Sequence, residues 1–301
     1  MEPLKNAVLI AGPTASGKSA LALKIARETG GAIVNADSMQ VYAVLRLLTA
    51  RPDDDDLAAA PHLLYGHVDP REDYSTGRWA REVEALIGDG AAGRRRLIFV
   101  GGTGLYFRAL TDGLSAMPDV PPPIRRHWRD ALAELGPHAL HRLLAERDPE
   151  AAASIRATDG QRIVRALEVE EASGKPISWW QGRRGTPIVD AASATRLVLE
   201  PDRQELASRI DTRFDQMVAK GALEEARALA ALGLDPAMPA MKAIGVRELL
   251  AADRGEIDPA VAVELAKTAT RRYAKRQSTW FRTQVDSGWR RISAITQVIC
   301  Q

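Results

Sequence analysis

Cysteine is almost absent: the 301 residues hold one, Cys300. A lone thiol excludes an internal disulfide and a thiolate zinc cluster. Long apolar runs are missing as well. No stretch approaches the length that crosses a bilayer, and the first residues lack the basic-then-apolar layout of a signal peptide. No membrane partner and a cytoplasmic location are therefore expected. A strong charge of one sign is lacking too. The net charge is only +2, so any nucleic-acid signal must lie in how charge is distributed. No internal repeat or low-complexity tract breaks the chain. With 46% hydrophobic and 27% charged residues it has enough apolar material for one large domain or a core plus a second unit.

What is present begins with Gly12-Pro13-Thr14-Ala15-Ser16-Gly17-Lys18-Ser19, a complete G-x-x-x-x-G-K-[ST] loop. An apolar run, Ala7 to Ala11, precedes it, and a helical pattern from Ser19 to Thr29 follows. Strand, glycine loop and helix together give the pattern a mechanism. Gly12 and Gly17 allow a tight curl that points successive N–H groups inward, at the positive end of the helix dipole. A polyphosphate fits there, with Lys18 reaching its outer phosphates and the Ser19 hydroxyl ligating Mg²⁺. A second strand, Ala32-Ile33-Val34, runs into Asn35-Ala36-Asp37. In an open α/β sheet ligands sit beyond the carboxyl ends of the strands, so Asp37 shares an edge with the loop and can act as a base or hold Mg²⁺ through water. A third strand, Leu97 to Val100, follows the basic turn Arg94-Arg95-Arg96 and enters Gly101-Gly102-Thr103-Gly104-Leu105-Tyr106. These glycines predict a close backbone approach to the phosphate ligand, with Thr103 offering its hydroxyl. The acidic run Asp53 to Asp56 reads as a solvated loop. His62, His67, His138 and His141 read as structural.

Prolines 121–123 and the turn-rich residues 182–194 bracket helical patterns at Ile124–Leu135, Pro137–Glu146 and Asp159–Ser173. The strand pattern returns at Arg196 to Leu199, and amphipathic helices follow from Arg203 to Gly221 and from Ala222 to Leu232. The expected fold class is α/β: a P-loop NTPase-like parallel sheet core formed by residues 1–112 and 195–301, with an all-helical insertion domain at 113–194. Basic and aromatic residues interleave at Arg125-Arg126-His127-Trp128-Arg129, at Lys175 to Arg184 with Trp179 and Trp180, and from Lys267 to Arg282, which contains no acidic residue. Cations neutralise RNA phosphates and aromatic planes stack on unpaired bases, so these patches predict nucleic-acid contact.

The loop Gly12–Ser19, the segments Asp37-Ser38-Met39-Gln40-Val41-Tyr42 and Gly101 to Tyr106, then Asp159-Gly160-Gln161-Arg162-Ile163-Val164-Arg165, Lys242-Ala243-Ile244-Gly245-Val246-Arg247-Glu248 and Arg272-Tyr273-Ala274-Lys275-Arg276-Gln277-Ser278-Thr279-Trp280-Phe281-Arg282 together resemble the tRNA dimethylallyltransferases, also called tRNA isopentenyltransferases. The resemblance covers nearly the whole chain in order. It implies transfer of a dimethylallyl group from dimethylallyl diphosphate to N6 of the adenosine 3′ to a tRNA anticodon, with release of diphosphate. It implies catalytic roles for Asp37, Thr103 and Lys18, and diphosphate or nucleotide binding (the loop also reads as ATP-binding) by Gly12, Pro13, Thr14, Ala15, Ser16, Gly17, Lys18 and Ser19, with Mg²⁺ at Ser19. It implies contacts to the anticodon stem-loop from Asp37, Ser38, Met39, Gln40, Thr103, Arg125, Gln161–Arg165, Lys242–Arg247 and Lys275–Arg282. A monomer is expected. One stretch departs: after Tyr42 the family continues with a basic residue, a glycine and Met-Asp-Ile-Gly-Thr-Ala-Lys-Pro, whereas this chain reads Ala43-Val44-Leu45-Arg46-Leu47-Leu48-Thr49-Ala50-Arg51-Pro52. That segment is more apolar and helix-compatible, and it should change the local shape of the pocket. Two other readings share the loop: a small-molecule kinase using ATP, which leaves the basic-aromatic patches unexplained, and an RNA-binding protein without turnover.

Overall fold

The computed structural model describes residues 2–90, 93, 95–183 and 185–293; Cys300, Arg94 and Arg184 lie outside them. In chain order the elements are β1 (Val8–Ala11), α1 (Lys18–Thr29), β2 (Ala32–Asn35), α2 (Asp54–Ala59), β3 (His62–Leu63), α3 (Thr76–Gly88), β4 (Leu97–Gly101) and α4 (Gly104–Asp112). Next come α5 (Pro122–Arg147), α6 (Pro149–Ser154), α7 (Gly160–Ser173) and α8 (Ile177–Gln181). The chain closes with β5 (Thr195–Leu199), α9 (Arg203–Ala219), α10 (Ala222–Ala230), α11 (Val246–Asp253), α12 (Pro259–Gln284) and β6 (Arg290–Ile292).

Six parallel strands form one sheet in the order β3-β2-β4-β1-β5-β6. The residues of β1, β2 and β4 are buried throughout, so their sequences are apolar runs rather than alternations. Because β4 lies between β1 and β2, the chain passes over one strand position after β1 and later crosses to its other side with β5. The loops after β1, β2 and β4 thus open at a topological switch point. Val8, Ile10, Ile33, Ile98, Val100 and Leu197 share one core cluster with Leu21, Ala22 and Ala26 of α1. A second cluster joins Val41, Tyr42 and Leu45 to α9, α10 and α11 through Phe214, Met217, Ala226, Leu229 and Leu249.

The chain forms two compact units, one of Met1–Thr111 with Ile188–Gln301 and one of Asp112–Pro187. The second holds α5 to α8 around its own core of Trp128, Leu140, Leu144, Ile163, Leu167 and Ile177. The return to the first unit comes at Ile188, inside the turn-rich stretch. The N–H groups of Ile188 and Val189 both donate to the Leu110 carbonyl, at 3.0 and 2.9 Å, and tie the stretch to the end of α4. Within α5, Gly136 leaves the helical region at φ 74°, so the helix kinks just before Pro137.

Two local expectations are corrected. The acidic run is not a loop. Asp53 Oδ1 accepts from the Asp56 N–H at 2.9 Å, the Asp56 carboxylate accepts in return from the Asp53 N–H, and this capping box opens α2. The apolar segment after Tyr42 is not helical: residues 43–50 run through bends and turns. Among the described residues no helix is long and apolar enough to cross a membrane.

Candidate active site

Beyond the carboxyl ends of β1 and β2 lies a cavity of about 290 Å³, all of it within the first unit. The phosphate loop and α1 contribute Thr14, Lys18 and Ser19; the stretch after β2 contributes Asp37 to Gln40 and Leu48 to Ala50. From α9 come Ile210, Arg213, Phe214 and Met217, and the remaining wall is Lys242 to Ile244 with Thr270, Tyr273 and Arg276 of α12.

The phosphate loop has the shape its glycines require. Gly17 opens α1 at φ 92°, and Ala15 takes a left-handed φ of 63°. Such reversals turn consecutive amides toward one side and make an anion cradle. Gly12, Pro13 and Ser16 are buried beneath it. Lys18 Nζ donates to the Pro13 carbonyl at 3.1 Å. Burial drives its ammonium down to about 8; Asp37 opposes the shift and Arg213 adds to it. Arg213, from α9, donates to the Thr14 hydroxyl. Burial lowers its own pKa as well, against the pull of Asp37. Two cations and one carboxylate therefore share this desolvated end of the cavity.

Asp37 is held by its neighbours. Asn35, fully buried, accepts from the Asp37 N–H at 2.9 Å and donates its amide to the carbonyls of Asp37 and Leu64 at 2.9 and 3.0 Å. Asp37 Oδ1 accepts from the Met39 N–H at 2.9 Å, an Asx turn that fixes the carboxylate's direction. Its charge raises the pKa of Tyr65, Tyr106 and Tyr273, in each of which burial is the larger cause.

The glycine-rich stretch after β4 packs closely against its neighbours, and a Cβ on Gly101 would lie 1.9 Å from the Ala36 carbonyl oxygen. A Cβ on Gly102 would lie 2.0 Å from Gln277 Nε2, and one on Gly104 would lie 2.2 Å from the Trp280 ring. These two close approaches are to α12. Gln277, buried, bridges the two loops: its Oε1 accepts from the Thr14 N–H at 2.9 Å and its Nε2 donates to the Gly102 carbonyl at 3.0 Å. Thr103 is not on the cavity wall. Its hydroxyl accepts from the Ser38 N–H at 3.0 Å and reaches the Ser38 hydroxyl at 3.3 Å, so it braces the Asp37 turn.

The residues expected to meet RNA divide by burial. Exposed or partly exposed in the first unit are Ser38, Met39, Gln40, Lys242, Ile244, Arg247, Lys275, Arg276, Ser278, Thr279, Trp280 and Arg282. In the second unit Gln161 and Arg162 are exposed at the start of α7, with Arg165 one turn on and Arg125 on α5. The side chains of Ile163, Val164, Val246 and Phe281 are buried in the core. Phe281 packs edge-on against Phe107, and Ile163 and Val164 fill the centre of the helical unit. Ala243, Gly245 and Gln277 are buried too. Arg183 stacks over the Trp179 ring at 3.5 Å, so that basic-aromatic patch is a formed contact.

With this geometry in place, the comparisons become decisive. The family model for IPP transferase matches residues 40–284, and that for isopentenyl transferase matches residues 5–64. The tRNA dimethylallyltransferase of Chelativorans sp. (strain BNC1) is 64% identical over 286 residues, 95% of this chain and 98% of that protein. The chain belongs to the IPP transferase family, the tRNA dimethylallyltransferases. By that membership it is an enzyme, a prenyl transferase. The solved full-length tRNA isopentenylpyrophosphate transferase of Bacillus halodurans superposes with a TM-score of 0.68 at 30% identity, covering 98% of this chain and 93% of that one. A eukaryotic dimethylallyltransferase acting on tRNA gives 0.81 at 26% identity, covering 98% and 76%. Within this IPP transferase fold, Arg213 carries no motif of its own on its amphipathic helix. Its place in the cavity depends on a contact 199 residues away in the chain, which no local pattern carries.

Proposed function

We propose that this chain transfers a dimethylallyl group from dimethylallyl diphosphate to N6 of adenosine 37, next to the anticodon of tRNA, and releases diphosphate. One observation carries the reading: a single cavity joins a cationic anion cradle, an oriented carboxylate and an apolar wall. The loop amides, Lys18 and Arg213 face the diphosphate. As the C–O bond breaks, its electron pair stays on the diphosphate oxygen, and these fixed donors stabilise the growing charge. The C–N bond forms at the allylic carbon, and the amine proton passes to Asp37. An exocyclic adenine amine is a weak nucleophile, so a positioned base matters. Thr103 acts one step back, by holding Ser38 and hence the Asp37 turn.

The donor set also fits Mg²⁺. Among the described residues no group of three His, Cys, Asp or Glu side chains could cage a metal. The Ser19 hydroxyl and the Asp37 carboxylate, however, are hard oxygens on one cavity. That suits an ion that keeps most of its water and shares a phosphate oxygen. Ser19 would hold it directly and Asp37 through water. When bound, it would neutralise charge on the diphosphate.

The base has to leave its stack to reach the cavity. Exposed Lys242, Arg247, Lys275, Arg276 and Arg282, with Arg125, Gln161, Arg162 and Arg165 of the helical unit, are the contacts for the anticodon stem-loop. The reading is of a monomer acting in the cytoplasm. The test uses bulk tRNA, Mg²⁺ and labelled dimethylallyl diphosphate, with ATP in parallel. Label on tRNA supports the transferase, while ATP consumption without tRNA would favour a kinase. Asp37→Ala should lose prenyl transfer and keep tRNA retention on a filter; transfer near the wild-type rate would remove Asp37 as the base.

A further inference from the structure

One wall of the cavity is not explained by diphosphate chemistry. It is the stretch of turns at residues 45–50, which brings Leu48, Thr49 and Ala50 to the surface of the cavity. The wall is fastened at both ends. The N–H groups of Arg46 and Leu47 donate to Glu225 Oε2 at 2.7 and 2.6 Å, and that of Leu48 donates to Oε1 at 2.8 Å. Glu225 belongs to α10, and its carboxylate thus fills a nest of three consecutive amides. At the other end Gln40 Nε2 donates to the carbonyls of Thr49 and Ala50 at 2.8 and 2.9 Å. Between these anchors the Leu48 side chain has no room behind it. A Cβ on Gly245 would lie 2.8 Å from Leu48 Cδ2 and 3.2 Å from the Phe214 ring. Leu48 and Phe214 therefore fill the cavity's apolar side and cannot draw back.

We propose that Leu48, fastened from behind by Glu225, is the residue that limits the length of the prenyl chain this cavity accepts. The proposal rests on the reading that the cavity takes a prenyl diphosphate. Dimethylallyl diphosphate ends against Leu48, whereas a donor one isoprene unit longer meets its methyl groups. The four carbons of a leucine side chain are close in bulk to the five of an added isoprene unit. In a rigid apolar pocket even one methylene changes discrimination by about ten-fold or more. Transfer from the longer donor is the same substitution: the C–O bond breaks with its pair on the diphosphate, the C–N bond forms at carbon 1, and the amine proton passes to Asp37.

The experiment compares dimethylallyl and geranyl diphosphate as donors to tRNA, with kcat and KM for each. Wild type should use the first and scarcely the second. Leu48→Ala should raise the geranyl-to-dimethylallyl ratio of kcat/KM by at least about ten-fold, with the KM for tRNA unchanged. Glu225→Gln, which removes an acceptor from the nest, should move the ratio the same way by less, and Glu225→Asp should restore part of it. A ratio within two-fold of wild type in a Leu48→Ala protein that still transfers dimethylallyl would overturn the proposal. So would loss of both donors in a variant whose thermal melt is intact, since Leu48 would then support the site rather than bound it. Should Leu48→Ala fail to fold, Leu48→Val removes one methylene and should raise the ratio by less; an unchanged donor ratio there overturns the proposal equally. Failure of wild type to transfer dimethylallyl at all would instead remove the functional reading beneath it.

Discussion

Two stretches of this chain present consecutive backbone amides to an anion, and they are used in opposite ways. The phosphate loop curls through Ala15 and Gly17 and faces a cavity with Lys18 and Arg213. The turns at residues 46–48 also bring three consecutive amides together, and these are taken by the chain's own Glu225. The first cradle faces a cavity, with the Thr14 N–H given to Gln277 and the Ser16 N–H to Pro13, while the second gives three consecutive amides to one carboxylate. What separates them is whether a carboxylate from elsewhere in the fold reaches the amides. Asp37 lines the same cavity as the first cradle, and its Oδ1 accepts from the Met39 N–H.

The largest break in this comparison comes from Lys18→Ala. It strips the open cradle of its side-chain cation, and kcat/KM for the donor should fall about a thousand-fold while filter retention of tRNA holds. Glu225→Ala attacks the filled cradle. Three partly buried amides lose their acceptor, and thermal or urea unfolding should show a loss of about 2–3 kcal/mol. The contrast is the point: the first variant melts like wild type, the second does not. A pH series sharpens the difference further. Burial disfavours the charged ammonium of Lys18, so it gives up its proton near 8, earlier than a free lysine. Raising the pH through that value removes positive charge from the cradle. The donor KM should therefore be flat below about 8 and climb roughly ten-fold per unit above it, measured on initial rates at saturating tRNA. The smallest effect belongs to Asp53→Ala. It removes the carboxylate that caps α2, costs about 1 kcal/mol in the same melts and leaves transfer unchanged.

Much of this could be read from the sequence because the signals were local. The apolar run before Gly12, the strand ending in Asp37 and the strand entering Gly101 each carry their pattern within a few residues, and all lie where expected. The acidic run was misread because Asp53 to Asp56 looks like solvated charge until the reciprocal bonds of a capping box are seen. The α7 residues Ile163 and Val164 came with a motif, but a helix shows only one side to solvent and these two face the core. Arg213 and Glu225 left no readable trace, and Gln277 came with a motif that did not show its bridging role. Each works through a partner more than a hundred and seventy positions away, and only the folded chain supplies that proximity.

Gln277 shows how narrow such a requirement can be. One terminal amide hands a proton to Gly102 and takes one from Thr14, so its two heads cannot be exchanged without setting oxygen against oxygen and nitrogen against nitrogen. Glutamate has nothing to give, lysine nothing to receive, and asparagine stops one carbon short. A single torsion in a single side chain thus decides whether the phosphate loop and the loop after β4 are bridged through it.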